Sequence, residues 1–103
     1  MDETLVRIKR AVLAGRYWFS EKARLEMQAD ALTELDVAES IVNAVAIYKT
    51  LRSRSAFRSK AREYLYVMEG ANLRGLAVYS KGKLVREENE EIYYFLVSSK
   101  RAL

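Results

Sequence analysis

The chain has no cysteine, no histidine and no proline, and only four glycines and one tryptophan among 103 residues. Without cysteine, disulfides and thiolate chemistry are excluded. Without histidine, a zinc site would have to be built from carboxylates alone, an uncommon set, so no metal and no cofactor is expected. Any acid–base chemistry falls to lysine, arginine, tyrosine or glutamate. No apolar run reaches the ~18 residues of a membrane span, and the N-terminus lacks a signal-peptide apolar region. The chain therefore reads as soluble and cytoplasmic, with no membrane partner. One further absence is local. From Lys49 to Arg62 there is no carboxylate at all, against six cations: Lys49, Arg52, Arg54, Arg58, Lys60 and Arg62.

What is present points to a folded unit. Half the residues are apolar, which excludes disorder on composition. The length suits a single domain over residues 1–103, burying roughly 60–70% of its unfolded surface in one core. The net charge of +4 is unevenly spread. Residues 1–48 carry six cations and eight anions, residues 49–86 ten cations and two anions, and residues 87–103 two cations and four anions. A positive block between mildly negative flanks predicts one electropositive face. Phosphate is the natural anion for it, with nucleic acid ahead of a membrane surface. Residues 49–62 cannot bury themselves, because an unpaired buried charge costs several kcal/mol, so they are expected to form an exposed, anion-seeking arm.

Hydrophobic spacing predicts three helices and then strands. Leu5, Ile8 and Val12 make one face of a helix over Asp2–Ala14, with Gly15 as its stop. Tyr17-Trp18-Phe19 reads as an aromatic corner belonging to the core. Ser20 caps a second helix over Glu21–Ala31 that turns Ala23, Met27 and Leu32 inward. Thr33 and Asp36 have the spacing of a capping box and open a third helix to about Ala44, with Val37, Ile41 and Val45 on one face. From Ile47 the pattern becomes β-like: strands over Ile47–Leu51, Glu63–Glu69, Leu73–Ser80 and Ile92–Ser98. Turns are expected at Gly70–Asn72 and Lys81–Lys83, with Leu84–Arg86 a short extension and the acidic run 87–91 a hairpin tip. Helices first and strands second give an α+β fold, N-terminal helices packed on one face of a C-terminal antiparallel sheet.

Four pieces of the second half occur in a suggestive order: Ile47-Tyr48-Lys49-Thr50, Arg62-Glu63-Tyr64-Leu65-Tyr66, Val78-Tyr79-Ser80-Lys81 and Val97-Ser98-Ser99-Lys100. Together with the preceding Leu-Thr-x-x-Asp-Val helix, this set resembles the MqsR-type toxins of bacterial toxin–antitoxin pairs, a branch of the RelE-like messenger-RNA interferases. The likeness covers roughly residues 30–103. It implies a RelE-like α+β fold, metal-independent cleavage of messenger RNA, on the ribosome or free, and neutralisation by a cognate antitoxin with a zinc-finger or helix-turn-helix domain. Carried over by position, the family's catalytic lysine falls on Lys49, its strand tyrosine on Tyr79, its C-terminal lysine on Lys100, and a polar position, usually an amide, near Arg62. Arginine there departs from the pattern, since it can donate but not accept a hydrogen bond.

The chemistry asks for three things: removal of the 2′ proton, neutralisation of charge on the phosphorane, and protonation of the leaving 5′ oxygen. Donors aimed at developing charge are worth ~3–4 kcal/mol each. Lys49 is thus expected to act as base or phosphate clamp, Tyr79 as base or 2′-hydroxyl positioner, Arg62 as electrophile and Lys100 as acid or phosphate contact. For Tyr79 to be the base, neighbouring cations must lower its pKa from ~10. Arg52, Arg54, Arg58, Lys60 and Lys81 are the expected backbone contacts. Alternation puts Tyr79 and Lys81 on one face, with Ser98 and Lys100 likewise paired. Gly75 and Ala77 would leave space beside Tyr79, and Tyr64, Tyr66, Tyr93 or Tyr94 would offer stacking surfaces for bases. A non-catalytic nucleic-acid-binding or gyrase-directed member of the same superfamily would need the same electropositive face. A tyrosine between lysines favours cleavage over mere binding.

Overall fold

Each helix begins where a short polar side chain satisfies the free amides of its first turn. In the computed structural model, which describes residues 2–52, 63–87 and 92–103, α1 spans Glu3–Leu13, α2 Glu21–Ala29 and α3 Glu34–Asn43. Asp2 accepts from the Thr4 amide, Ser20 from Ala23 and Thr33 from Asp36, whose own carboxylate accepts from the Thr33 amide to complete the capping box. Gly15 ends α1 at φ +75, a conformation that favours glycine. Leu5, Ile8, Ala11 and Val12 of α1, Ala23 and Met27 of α2, Leu32, and Val37 and Ile41 of α3 are all buried, as their spacing predicts. Val45 is not. It is 89% exposed, because α3 stops at Asn43 and the chain turns away before Val45 could join the buried stripe.

Five strands, β1 (Tyr17–Phe19), β2 (Lys49–Arg52), β3 (Tyr64–Ala71), β4 (Ala77–Arg86) and β5 (Ile92–Arg101), form one sheet in the order β1-β5-β4-β3-β2. The sheet is mixed, which corrects the expected all-antiparallel one. The aromatic triplet at 17–19 is no corner but a strand lying parallel to β5, Trp18 opposite Phe95. Three residues are too few for alternation to declare itself in sequence. Val78, Tyr94, Leu96 and Met68 face the helices and share one core with them.

Two glycines decide where layers touch. A Cβ on Gly70 would lie 2.1 Å from the Ser40 carbonyl oxygen, so α3 rests directly on β3 there. At Gly82 a Cβ would lie 2.6 Å from Cζ of Tyr94. The residues Lys81–Lys83 therefore do not turn; they continue β4, and Gly82 makes room for a tyrosine ring that is fully buried. The turn expected at 70–72 lies further on. Asn72 accepts from the Arg74 and Leu76 amides, and Gly75, at φ +82, sits in this turn rather than beside Tyr79.

Beyond Phe19 the edge of β5 has no strand neighbour among the described residues, and α2 covers it instead. The Ser20 amide donates to the Leu96 carbonyl and its hydroxyl to that of Val97. Further along, the Ser99 amide donates to Glu26 at 3.1 Å and the Arg101 amide to Asp30 at 2.8 Å. Two carboxylates one helical turn apart thus stand in for a sheet partner.

Candidate nucleic-acid interface

Strand register carries side chains from four strands onto the face opposite the helices. Across a sheet, directly opposed residues share a face. Lys49 is opposite Val67, Val67 opposite Lys81, and Lys81 opposite Ser98. The next row on the same face is Glu69, Tyr79 and Lys100. The expected pair Tyr79 and Lys81 is therefore joined by Lys49, Ser98 and Lys100 on one surface, and Tyr79 lies outside the helix-covered core. Lys100 stands closest, its Nζ 5.2 Å from the Tyr79 ring centroid. Lys49 is three strands away from Lys100, about 14 Å across the sheet and about 7 Å along it by standard spacings, with Lys81 between the two lysines. Lys49 and Lys100 are exposed and Lys81 half-buried. Ala77, next on this face, is small and exposed, leaving the surface beside Tyr79 open.

The surroundings of Tyr79 oppose ionisation. Burial raises its pKa above the ordinary phenol value, and the Glu26 and Glu69 carboxylates raise it further. The cationic neighbourhood required of a tyrosine base is thus outweighed, and Tyr79 near neutral pH is a phenol that donates and accepts hydrogen bonds. Glu26 works against its own burial: the Ser98 hydroxyl at 2.7 Å, the Ser99 amide and the Lys22 ammonium together hold its carboxyl below the usual range. The Ser98 hydroxyl is committed to that contact.

The lower half of the same face is apolar and aromatic. Trp18 packs against Tyr93 at 5.1 Å between centroids and against Phe95 at 5.6 Å, both tilted. Lys83 reaches over the Phe95 ring at 5.9 Å while pairing with Glu63 at 3.0 Å. Leu51 and Leu65 lie opposite each other on this face, and Val67 is buried there at 3% exposure.

Of the tyrosines expected as stacking surfaces, only Tyr93 is on this face. Tyr94 is sealed in the core, its hydroxyl donating toward the Tyr66 carbonyl, and burial drives its pKa far up. Tyr66 packs against the core from the helix side, where burial raises its pKa despite Arg7, and Tyr64 shares its parity. Arg52 falls on the opposite parity from Lys49, on the other side of the sheet. Arg54, Arg58, Lys60 and Arg62 lie outside the described residues, as do positions 88–91 of the acidic run.

Four residues of this surface escape sequence reading: Trp18, Phe95, Glu26 and Glu69. Trp18 reads as core because its strand is too short to show a period. The two glutamates join Tyr79 only through strand register and the seating of α2, for which no local pattern exists. Among the described residues no helix is long and apolar enough to cross a membrane. Compared with known proteins, the chain matches no family model, no curated protein and no solved structure.

Proposed function

We propose that the open face of the sheet binds single-stranded RNA and cleaves it without a metal, by attack of a 2′-hydroxyl on the adjacent phosphate, as the MqsR-type, RelE-like interferases that the motif order resembles would do. The observation carrying this reading is the convergence of Lys49, Lys81, Tyr79 and Lys100, scattered over 52 positions of sequence, on the one face of the sheet that points away from the helices.

In this reading Lys49 and Lys81 hold phosphate oxygens. Tyr79, kept as a neutral phenol, positions the 2′-hydroxyl through a hydrogen bond. Glu69, opposite Tyr79 in register, takes the 2′ proton. The 2′ oxygen then bonds to phosphorus and the bond to the 5′ oxygen breaks. Lys100 protonates that oxygen, leaving a 2′,3′-cyclic phosphate and a 5′-hydroxyl. Proton transfers by positioned groups are worth about 10²–10⁴-fold each. Arg62 and the arm cations Arg54, Arg58 and Lys60 add phosphate contacts in the same reading. A cytoplasmic site of action and a neutralising antitoxin with a zinc-finger or helix-turn-helix domain go with it.

The test is incubation of the purified protein with RNA in EDTA, alone and with ribosomes. Cyclic-phosphate ends, reduced about 10²-fold or more in Tyr79→Phe, Glu69→Gln or Lys100→Ala, support the assignment. Intact RNA in both settings would replace it with a non-catalytic nucleic-acid-binding or gyrase-directed role.

A further inference from the structure

The aromatic cluster at the other end of this face has no part in the chemistry just described. Trp18, Tyr93 and Phe95 are all half-buried, each with part of its surface on the open side of the sheet. The Trp18 ring is tilted by 56° against Tyr93 and by 48° against Phe95, so it does not stack flat on either. The flanking charge is cationic where it meets the rings: Lys83 lies over Phe95, and Lys81 is two residues along the same strand. Glu63 pairs with Lys83 at 3.0 Å beside the cluster. A core would bury such rings fully and keep ammonium groups away from them. Aromatic faces interleaved with lysines are the arrangement that receives a planar base and its phosphate together.

We infer that Trp18, with Tyr93 and Phe95, forms a stacking subsite for an unpaired nucleobase, engaging a nucleotide that flanks the scissile one. The inference rests on the reading of this face as an RNA surface, and it adds a ligand contact that the catalytic row does not supply. From Phe95 to Lys100 the strand rises about 16 Å at ~3.3 Å per residue. A base stacked at Trp18 therefore belongs to a neighbouring nucleotide, not to the one whose 2′-hydroxyl reacts. Stacking is indifferent to base identity to first order, so the subsite favours single-stranded over duplex substrate without imposing a sequence.

Because Trp18 is the only tryptophan in the chain, its fluorescence reports the subsite directly. The probe is an uncleavable 2′-deoxy oligonucleotide of ~8 nucleotides, within the range of single-strand site sizes, compared with an abasic version and with inorganic polyphosphate. The oligonucleotide is expected to quench Trp18 and to bind about tenfold or more tighter than the abasic strand. Polyphosphate is expected to bind without comparable quenching. Trp18→Leu should lose about tenfold in oligonucleotide affinity, Trp18→Phe should recover most of it, and neither should alter polyphosphate binding. Equal affinity for the intact and abasic strands by the wild-type protein overturns the proposal whether or not the leucine variant folds. So does unchanged oligonucleotide affinity in a folded Trp18→Leu protein, the result expected if the cluster docks a protein. Because the probe cannot be cleaved, the two readings fail separately. Quenching without any RNA cleavage removes the catalytic reading alone, and cleavage with equal intact and abasic binding removes the stacking subsite alone.

Discussion

At the scale of single residues, Gly70 and Gly82 are set by distance, whereas Gly15 and Gly75 are set by backbone conformation. Gly70 lies against the backbone of α3, which cannot swing aside as a side-chain end could. Gly70→Ala is therefore expected to destabilise the protein by about 1–3 kcal/mol or more, the cost of forcing volume into a packed contact, read as a lower urea midpoint at unchanged slope. Asp36 is the residue-scale case for charge. The Thr33 amide lowers its pKa most, outweighing the burial that would raise it, with Asn72 at 3.1 Å and Arg74 at 3.2 Å adding to the effect. A carboxylate depressed in the folded state contributes stability that is fully present above its unfolded pKa of ~3.9 and is lost as pH falls through the folded value. Asp36→Asn should thus lower stability at pH 7 while flattening the loss below about pH 4, measured by denaturation at several pH values. An unchanged acid limb in the variant would refute Asp36 as a contributor. The Thr33–Asp36 pairing is fully legible in sequence because both partners lie within one turn. Asn72 and Arg74 are not, since only the docking of the β3–β4 turn on α3 brings them to Asp36.

Among elements, α2 has the least expected task. Its inward residues Ala23 and Met27 follow from spacing, but its outer carboxylates Glu26 and Asp30 serve the exposed edge of β5. An uncovered edge strand invites pairing with another chain. Glu26→Ala with Asp30→Ala should speed hydrogen exchange at the Ser99 and Arg101 amides selectively, and raise the tendency to self-associate. Exchange that rises uniformly across β5 would instead mean general unfolding. The same segment tethers Ser98 and approaches Tyr79, so the double variant is also expected to disturb the row of Glu69, Tyr79 and Lys100. β4 teaches a related lesson. Lys-Gly-Lys reads as a turn on local propensity, yet the ten-residue strand continues through it, with a register shift against β5 between Lys81 and Gly82, where the buried ring of Tyr94 occupies the space above Gly82. Tertiary packing overrides local preference where a missing side chain is what the neighbour needs.

For the molecule as a whole, the relevant quantity is the field of one face. Lys49, Lys81 and Lys100 share that surface, and each phosphate they neutralise on a single strand contributes about −0.7 to the slope of log K against log salt. Replacing all three by alanine should therefore make the slope shallower by about 2 in a fluorescence titration with single-stranded RNA. An unchanged slope would mean that RNA, if bound, lies elsewhere. The charge asymmetry of the sequence anticipates an electropositive region, and alternation anticipates that Tyr79 and Lys81 face together. Composition and short-range spacing determined by themselves the helices, their caps and most of the core, because those depend on interactions within a few positions. Tertiary structure alone decided that β1 joins β5, that Trp18 and Phe95 face outward with the lysines, and that burial, with two carboxylates beside it, raises the pKa of Tyr79. Those outcomes depend on strand register and on where a helix settles against an edge, and neither is encoded in any local stretch of chain.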